Sequence, residues 1–305
     1  MVVQTKPNWL RILRQIGRPA IALCCISAVT TVLNYIDHPF KPIAIPDLTI
    51  SLLGAALGIL LGFRTNSAYA RWWEARQLWG GLVNSSRSIA RQAVSFTRDL
   101  PPGQQAAGDQ FAHRLVYAQI AFVHSLRCAL RKQSPWEDIA PFLGVKLMAK
   151  LQGEQNVPAA LLQFMGEDVA SAAHAGLLTE WRLTRLDSTL TDLSNIQGGC
   201  ERIKNTPLPR QYDYYPELFV KAYCLLLPLV MVDELKLFTP LVTLLISFVF
   251  LILNRIGKNL EDPFENQVYD TPMTALSRTI EINLRQALGE TQLPPPVQPE
   301  NGVLW

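Results

Sequence analysis

The chain has 305 residues, of which 49% are hydrophobic and 17% charged, and its formal net charge is +3. Average soluble domains carry about 25% charged residues, so this composition indicates an integral membrane protein with a sizeable polar part. A net charge this small gives no argument for nucleic-acid binding. The five cysteines form no C-x-x-C pair, and we interpret them as small buried hydrophobic residues, not as disulfides or metal ligands.

The N-terminal segment is amphipathic, and the first apolar run is not followed by a signal-peptide cleavage site. Four apolar runs stand out along the chain, at residues 19–36, 48–63, 218–232 and 237–253. Each is no longer than the roughly 20 residues that a lone membrane-spanning helix needs. Helices that bundle, tilt or extend into water at one end tolerate shorter spans. The pattern therefore predicts four membrane helices.

Lysine and arginine are concentrated before the first run, after the second, before the third and after the fourth. The loops after the first and third runs carry fewer of them. Because cytosolic loops are the ones enriched in Lys and Arg, this alternation predicts that both termini and the long middle segment are cytosolic.

The middle segment is polar and helical in its hydrophobic pattern, with helices expected near residues 111–130, 135–151, 158–177 and 178–203. No period-two alternation predicts a strand. Another amphipathic helix is expected after Pro272, and the proline-rich tail after Gly289 is expected to be extended or disordered on its own. The predicted parts are 1–63 (first two membrane helices), 64–210 (cytosolic helices), 211–258 (last two membrane helices) and 259–305 (C-terminal helix and tail).

The second apolar run has two ordered faces. Glycines recur every four residues on one face, and side chains of increasing size recur every four residues on the next. These residues are Gly54, Gly58 and Gly62, and Ala55, Ile59 and Phe63. Glycines allow other helices to approach closely. A membrane helix has little reason to order both faces unless it packs in a ring, so the pattern favours a pore.

A cluster of aromatic and basic residues follows this run: Arg64, Arg71, Trp72, Trp73, Arg76 and Trp79. One interpretation is an interfacial belt, with tryptophans at the headgroups and arginines reaching phosphate. The other is that Arg71 and Glu74 or Arg76 make packed polar contacts between helices. The two interpretations are compatible.

Motifs of enzyme chemistry are absent from the sequence, which has no phosphate-binding glycine loop and no H-E-x-x-H, so we predict no enzyme and no cofactor. The segment GGCER at 198–202, followed by TPLP at 206–209, indicates a helix stop and then re-entry into the membrane, or only a local break in the helix. Asp262 and Asp270, near the end of the fourth run, are weak candidates for a calcium site, although helix capping is the favoured interpretation.

Several of these motifs together resemble the bestrophin family of ion channels, most closely its bacterial members. They occur in order across residues 8–290: LGFR at 61–64, SAYARWWEAR at 67–76, GGCER at 198–202, TPLP at 206–209 and EDPF at 261–264. The resemblance implies an all-α homopentamer in the bacterial inner membrane, in contact with lipid. Each subunit would contribute four membrane helices and a large cytosolic helical bundle around a central pore.

The resemblance also implies that five copies of the second helix line a narrow apolar neck. Its positions here would be Ala55, Ile59 and Phe63, with Ile59 and Phe63 forming the tighter constriction because alanine stands at the outer position. A second, cytosolic aperture would fall at Trp181, flanked by Glu180 and Arg182. Permeant ions would be monovalent. Anions, chiefly chloride, are favoured over sodium or potassium.

Calcium is the point where the sequence departs from eukaryotic bestrophins. Their clasp uses an acidic run, and in the corresponding segment of this chain only Asp270 keeps an acid, so we predict no calcium gating. A transporter and a membrane scaffold without a pore are the rival classes. A transporter would show inverted halves and polar residues at mid-membrane, and neither pattern is present.

Overall fold

The computed structural model describes residues 1–3, 9–36 and 47–305, and the side chains of these residues except 9–13 and 47–48. Within these ranges the chain is helical and forms no β-sheet, so the all-α prediction is confirmed for the part described. The α-helices are α1 (Trp9–Tyr35), α2 (Asp47–Phe96), α3 (Gln105–Leu130), α4 (Trp136–Ile139), α5 (Val145–Leu151), α6 (Val157–His174), α7 (Glu180–Asn205), α8 (Arg210–Leu235), α9 (Thr239–Glu261) and α10 (Met273–Ala287).

Each of the four apolar runs lies in one long helix: α1, α2, α8 or α9. Helix α2 is 50 residues long and does not end where its apolar part ends, because no proline interrupts it. Three stretches of the described chain are long and apolar enough to cross a membrane, Arg14–Tyr35, Thr49–Phe96 and Arg210–Glu261. The last contains α8 and α9, separated by a 3₁₀ turn at Lys236–Phe238.

One detail of the predicted helices is wrong. The single helix expected at residues 135–151 is broken into α4, a 3₁₀ turn at Ala140–Phe142 and α5, because Pro141 cannot donate a helical hydrogen bond and Gly144 is extended. The helix stop expected over residues 198–209 lies in the second half of that segment, since α7 continues through Gly198 and Gly199 to Asn205. The helix ends where Pro207 restricts the backbone of the preceding Thr206.

The chain divides into two compact units. The polar unit consists of Met1–Val3, Trp73–Thr206 and Pro263–Trp305, and the apolar unit of Gln4–Trp72 and Pro207–Asp262. In the polar unit α3 is central, and it packs against α6 and α10. Its fully buried side chains include Phe111, Phe122 and Leu126. This unit therefore has an ordinary hydrophobic core.

The C-terminal tail is extended, as predicted, but it does not stand on its own. The Val3 amide donates to the Gly302 carbonyl at 3.0 Å, and the Ala275 amide in the first turn of α10 donates to the Trp305 carbonyl at 2.7 Å. Val303 is buried. Both ends of the chain thus pack within the polar unit, and the backbone of the tail satisfies an otherwise free donor of α10.

In the apolar unit α1, α8 and α9 pack against one another. Helix α2 meets α8 through a small buried cluster of Leu57, Leu61, Val220 and Cys224. Small polar residues lie in the other contacts, where Ser27, Thr243 and Ser247 are buried. Small residues at helix contacts are typical of packing in lipid, because they let the backbones approach.

Candidate functional site

The first part of the candidate site is the apolar half of α2. Ile59 and Phe63 are 63% and 64% exposed, and Ala55 is also exposed. Because four residues make just over one helical turn, these three side chains share one face. The opposite face of α2 is buried, at Leu57, Leu61 and elsewhere. The predicted neck positions therefore form an apolar stripe that no element of the same subunit covers within the part of the chain described.

The three glycines beside this stripe have different surroundings. A Cβ atom added at Gly54 would lie 2.6 Å from the Tyr223 hydroxyl, so a larger residue there would force the Tyr223 side chain of α8 to move. A Cβ atom at Gly58 or Gly62 would meet nothing within 4 Å in the described subunit. Of the predicted packing glycines, only Gly54 serves a contact inside the subunit, while the other two flank the exposed stripe.

Arg64 follows the stripe directly, and its side chain is only 1% exposed. Its guanidinium donates to the Asn254 Oδ1 atom at 2.5 Å and forms ion pairs with Asp213 and Glu261. A buried cation is stable only when it is paired and hydrogen-bonded, and here α8 and α9 supply the partners. Arg64 thereby ties α2, α8 and α9 together at one end of the apolar unit.

Sequence reasoning placed Arg64 in an aromatic and basic cluster but missed this network. The available signal was a single arginine at the end of an apolar run, together with acidic residues near the ends of two other runs. Arg71 makes a related contact, because its Nε donates to the Glu261 carbonyl at 2.7 Å. Glu74 pairs with Arg202 in the polar unit. Packed polar contacts, one of the two interpretations of this cluster, are therefore present.

The second predicted constriction lies at the start of α7, in the polar unit. Thr179 caps this helix by accepting a hydrogen bond from the Arg182 amide. Trp181 is 85% exposed, and Glu180 is exposed beside it. Arg182 is directed elsewhere: its guanidinium donates to the Phe96 carbonyl at 2.7 Å and lies over the Phe96 ring. The Glu180 carboxylate is therefore exposed beside Trp181, whereas the Arg182 guanidinium is held by Phe96.

The two calcium candidates lie in different units and are considered separately. Asp262 follows α9 and is exposed. Asp270 is buried, and its Oδ2 atom accepts the Gln267 amide at 2.9 Å, closing a turn. Burial raises the pKa of the Asp270 carboxyl to about 6. Among the described residues, no group of three or more His, Cys, Asp or Glu side chains is placed to hold a metal ion.

Comparison with known proteins connects this architecture to one family. The family model for bacterial and fungal bestrophin proteins matches residues 1–286. The voltage-dependent anion channel-forming protein of Ralstonia nicotianae is 34% identical over 301 residues, which cover 96% of each chain. The corresponding protein of Escherichia coli O157:H7 is 34% identical over 309 residues, covering 98% of each.

Solved structures agree with this result. The crystal structure of a bacterial bestrophin homologue from Klebsiella pneumoniae aligns with a TM-score of 0.84 at 30% sequence identity, and the alignment covers 91% of this chain and all of that one. The chain belongs to the bacterial and fungal bestrophin family, and it is a membrane protein. The resemblance found in the sequence is thereby confirmed.

Proposed function

We propose that this protein is an ion channel, built from five copies of the chain, whose pore neck is lined by the exposed stripe of α2. The observation that carries the proposal is the pair of large apolar side chains, Ile59 and Phe63, more than 60% exposed on a helix whose other face is buried. A ring of subunits would cover this stripe on the pore axis. The relatives named anion channel-forming proteins support the function.

The proposed topology has four spans per subunit, formed by α1, the apolar half of α2, α8 and α9. The positive-inside pattern then orients both termini toward the cytosol. Contacts between Met1–Val3 and the C-terminal tail support this orientation, because both ends of the chain lie in the polar unit. In this topology the polar unit is the cytosolic bundle.

An apolar neck has no polar groups that could replace the water around an ion. Ions would pass mostly hydrated, or the neck would dewet and close, so the neck discriminates by size and hydration more than by charge. Charge preference must then arise from fields at the mouths of the pore. We propose that anions, chiefly chloride, are the permeant ions, as the names of the relatives indicate.

A cation channel of the same fold is the second candidate, and one observation favours it. The Arg182 guanidinium donates a hydrogen bond to the Phe96 carbonyl, whereas Glu180 is exposed next to Trp181. If Trp181 lines the second constriction, a ring of five Glu180 carboxylates would attract cations.

The deciding experiment is the reversal potential of the purified protein in planar bilayers under a potassium chloride gradient. A value near the chloride equilibrium potential supports the anion channel, and a value near that of potassium supports the cation channel. The mass in detergent tests the pentamer independently, since a monomer or dimer would favour a transporter or scaffold.

The neck assignment is tested by substitutions on α2 and α9. Ile59→Ala should raise ion flux several-fold, because a smaller side chain widens the constriction and lowers the cost of wetting it. Leu245→Ala is the matched control, since Leu245 is 59% exposed on α9 but is not on the stripe. Equal flux in Ile59→Ala and wild type would remove Ile59 from the neck.

A further inference from the structure

A cavity of about 430 Å³ opens between α1, α8 and α9 in the apolar unit. One part of its wall is apolar and includes Leu23, Leu225 and Leu251. The other part is charged and consists of Glu217, Lys221, Arg255 and Lys258. The candidate pore residues are not part of this wall.

The charged and the apolar parts of the wall are separated along the helix axes, and the separation has the same direction on α8 and on α9. On α8, Glu217 and Lys221 precede Leu225, and on α9, Arg255 and Lys258 follow Leu251. The two helices meet at the turn Lys236–Phe238 and run antiparallel, so their charged residues lie toward the ends remote from that turn. The cavity is therefore charged near one end of the spans and apolar deeper in, as a phospholipid is.

Positive charge at the polar end exceeds negative charge. The Glu217 carboxylate accepts hydrogen bonds from Lys221 at 2.7 Å and from Lys258 at 2.8 Å, so one anion serves two cations. Arg255 is exposed and forms no ion pair within the described ranges. Three cations thus face one carboxylate, and two positive charges remain unbalanced beside an apolar wall. Such charges are costly in a membrane unless an anion meets them.

We infer that this cavity binds an anionic phospholipid. The lipid phosphate would contact Lys221, Arg255 and Lys258, and an acyl chain would lie along Leu225 and Leu251. Basic pockets between membrane helices are the sites where acidic headgroups bind. An inorganic phosphate ion would leave the apolar wall uncovered, so the site fits a lipid better than a free anion. Placing the lipid in the inner leaflet rests on the proposed topology, but the preference for a negative headgroup does not.

The test measures lipid binding to the purified full-length protein by native mass spectrometry. Phosphatidylglycerol and phosphatidylcholine with the same acyl chains are titrated separately. We expect wild type to bind phosphatidylglycerol about tenfold more tightly, because the cations of the cavity attract its negative headgroup. The triple variant Lys221→Gln, Arg255→Gln, Lys258→Gln should lose this preference. Equal binding of the two lipids by wild type would overturn the proposal. A cavity that a neighbouring subunit covers would give the same result and would overturn it as well.

The matched control removes the same amount of charge from outside the cavity. Arg14→Gln, Arg18→Gln, Arg210→Gln neutralises three exposed cations of α1 and α8 that do not line it. This control should keep the preference for phosphatidylglycerol. If it loses the preference as fully as the first triple variant does, the effect belongs to the surface charge and not to the cavity.

Two single variants separate headgroup from chain. Glu217→Gln removes the one carboxylate among the described residues of the wall and should tighten phosphatidylglycerol binding several-fold, whereas weaker binding would contradict the assignment. Leu225→Trp fills the apolar part of the cavity without changing charge and should weaken binding of the lipid.

Millimolar inorganic phosphate should not displace the lipid, and complete displacement would mean that only the anion is recognised. Since binding is read without any current, failure of this proposal is distinguishable from failure of the channel proposal.

Discussion

The polar and apolar units differ in which large side chains they bury and which they leave exposed. In the polar unit the fully buried side chains are large and apolar, such as Trp79, Phe111 and Phe122. In the apolar unit Ile21, Leu241 and Leu245 are more than half exposed, while Ser27, Ser247 and Arg64 are buried. One chain therefore contains two packing regimes.

The difference follows from the solvent around each unit. In water, removal of apolar surface drives packing, so large hydrophobic residues move inside. In lipid no such drive exists between helices, and small residues and polar contacts hold them together. An exposed leucine thus has a different meaning in each unit.

The buried cation of the apolar unit should matter most. Arg64→Met leaves Asp213 and Glu261 without their cation, and breaking a buried ion pair costs about 3–5 kcal/mol. Thermal unfolding of the detergent-solubilised protein measures the loss. Arg91→Met is the control, because Arg91 is an exposed arginine of the same helix and should change stability little. Equal melting temperatures for the two variants would show that the Arg64 network contributes nothing.

The same substitution should have different effects in the two units. Leu126→Ala removes a fully buried side chain of the polar unit, and such changes cost about 2–5 kcal/mol. Leu245→Ala removes a side chain that is 59% exposed in the apolar unit, and we expect less than about 0.5 kcal/mol. Unfolding in denaturant compares the variants. A large loss for Leu245→Ala would show that the exposed leucine is covered in the assembled protein.

Asp270 tests the polar unit through pH. Burial raises its pKa to about 6 from an ordinary value of 3.8, so the folded state binds the proton more tightly than the unfolded state. The contribution of Asp270 to stability should therefore fall as pH rises from about 4 through 6, by on the order of 3 kcal/mol. Asp270→Asn has no charge to bury and should be the more stable protein at pH 7.5, with the difference much smaller at pH 4. A difference that does not change with pH would contradict this assignment.

The smallest effect is expected at the surface of the polar unit. Glu74 and Arg202 form an ion pair whose side chains are 44% and 66% exposed. Exposed pairs contribute about 0–1 kcal/mol because water screens them and holding two long side chains costs entropy. Glu74→Gln should shift the melting temperature by a degree or two at most. A loss as large as that of Leu126→Ala would mean that another group buries this pair.

The sequence by itself determined the helical class, the four apolar helices and the family. Hydrophobic period and charge asymmetry are local properties, so they can be read along the chain at α1, α8 and α9. It also put Ala55, Ile59 and Phe63 on one face, because helical geometry follows from spacing alone. Helix ends set by proline can also be predicted from the sequence. Pro141 is such a signal, and it accounts for the break between α4 and α5.

Only the tertiary structure decided which residues meet across the chain. The Arg64 network joins residues of three helices. Arg64 and Glu261 are 197 residues apart in the sequence, and no local pattern specifies such a pairing. The same holds for Gly199, where an added Cβ atom would lie 3.0 Å from the Leu78 side chain. There the close approach of α2 and α7 retains glycine inside a helix despite its intrinsic cost of about 1 kcal/mol. Intrinsic helix propensity is a weak preference, and contacts between residues distant in sequence override it where side chains are buried.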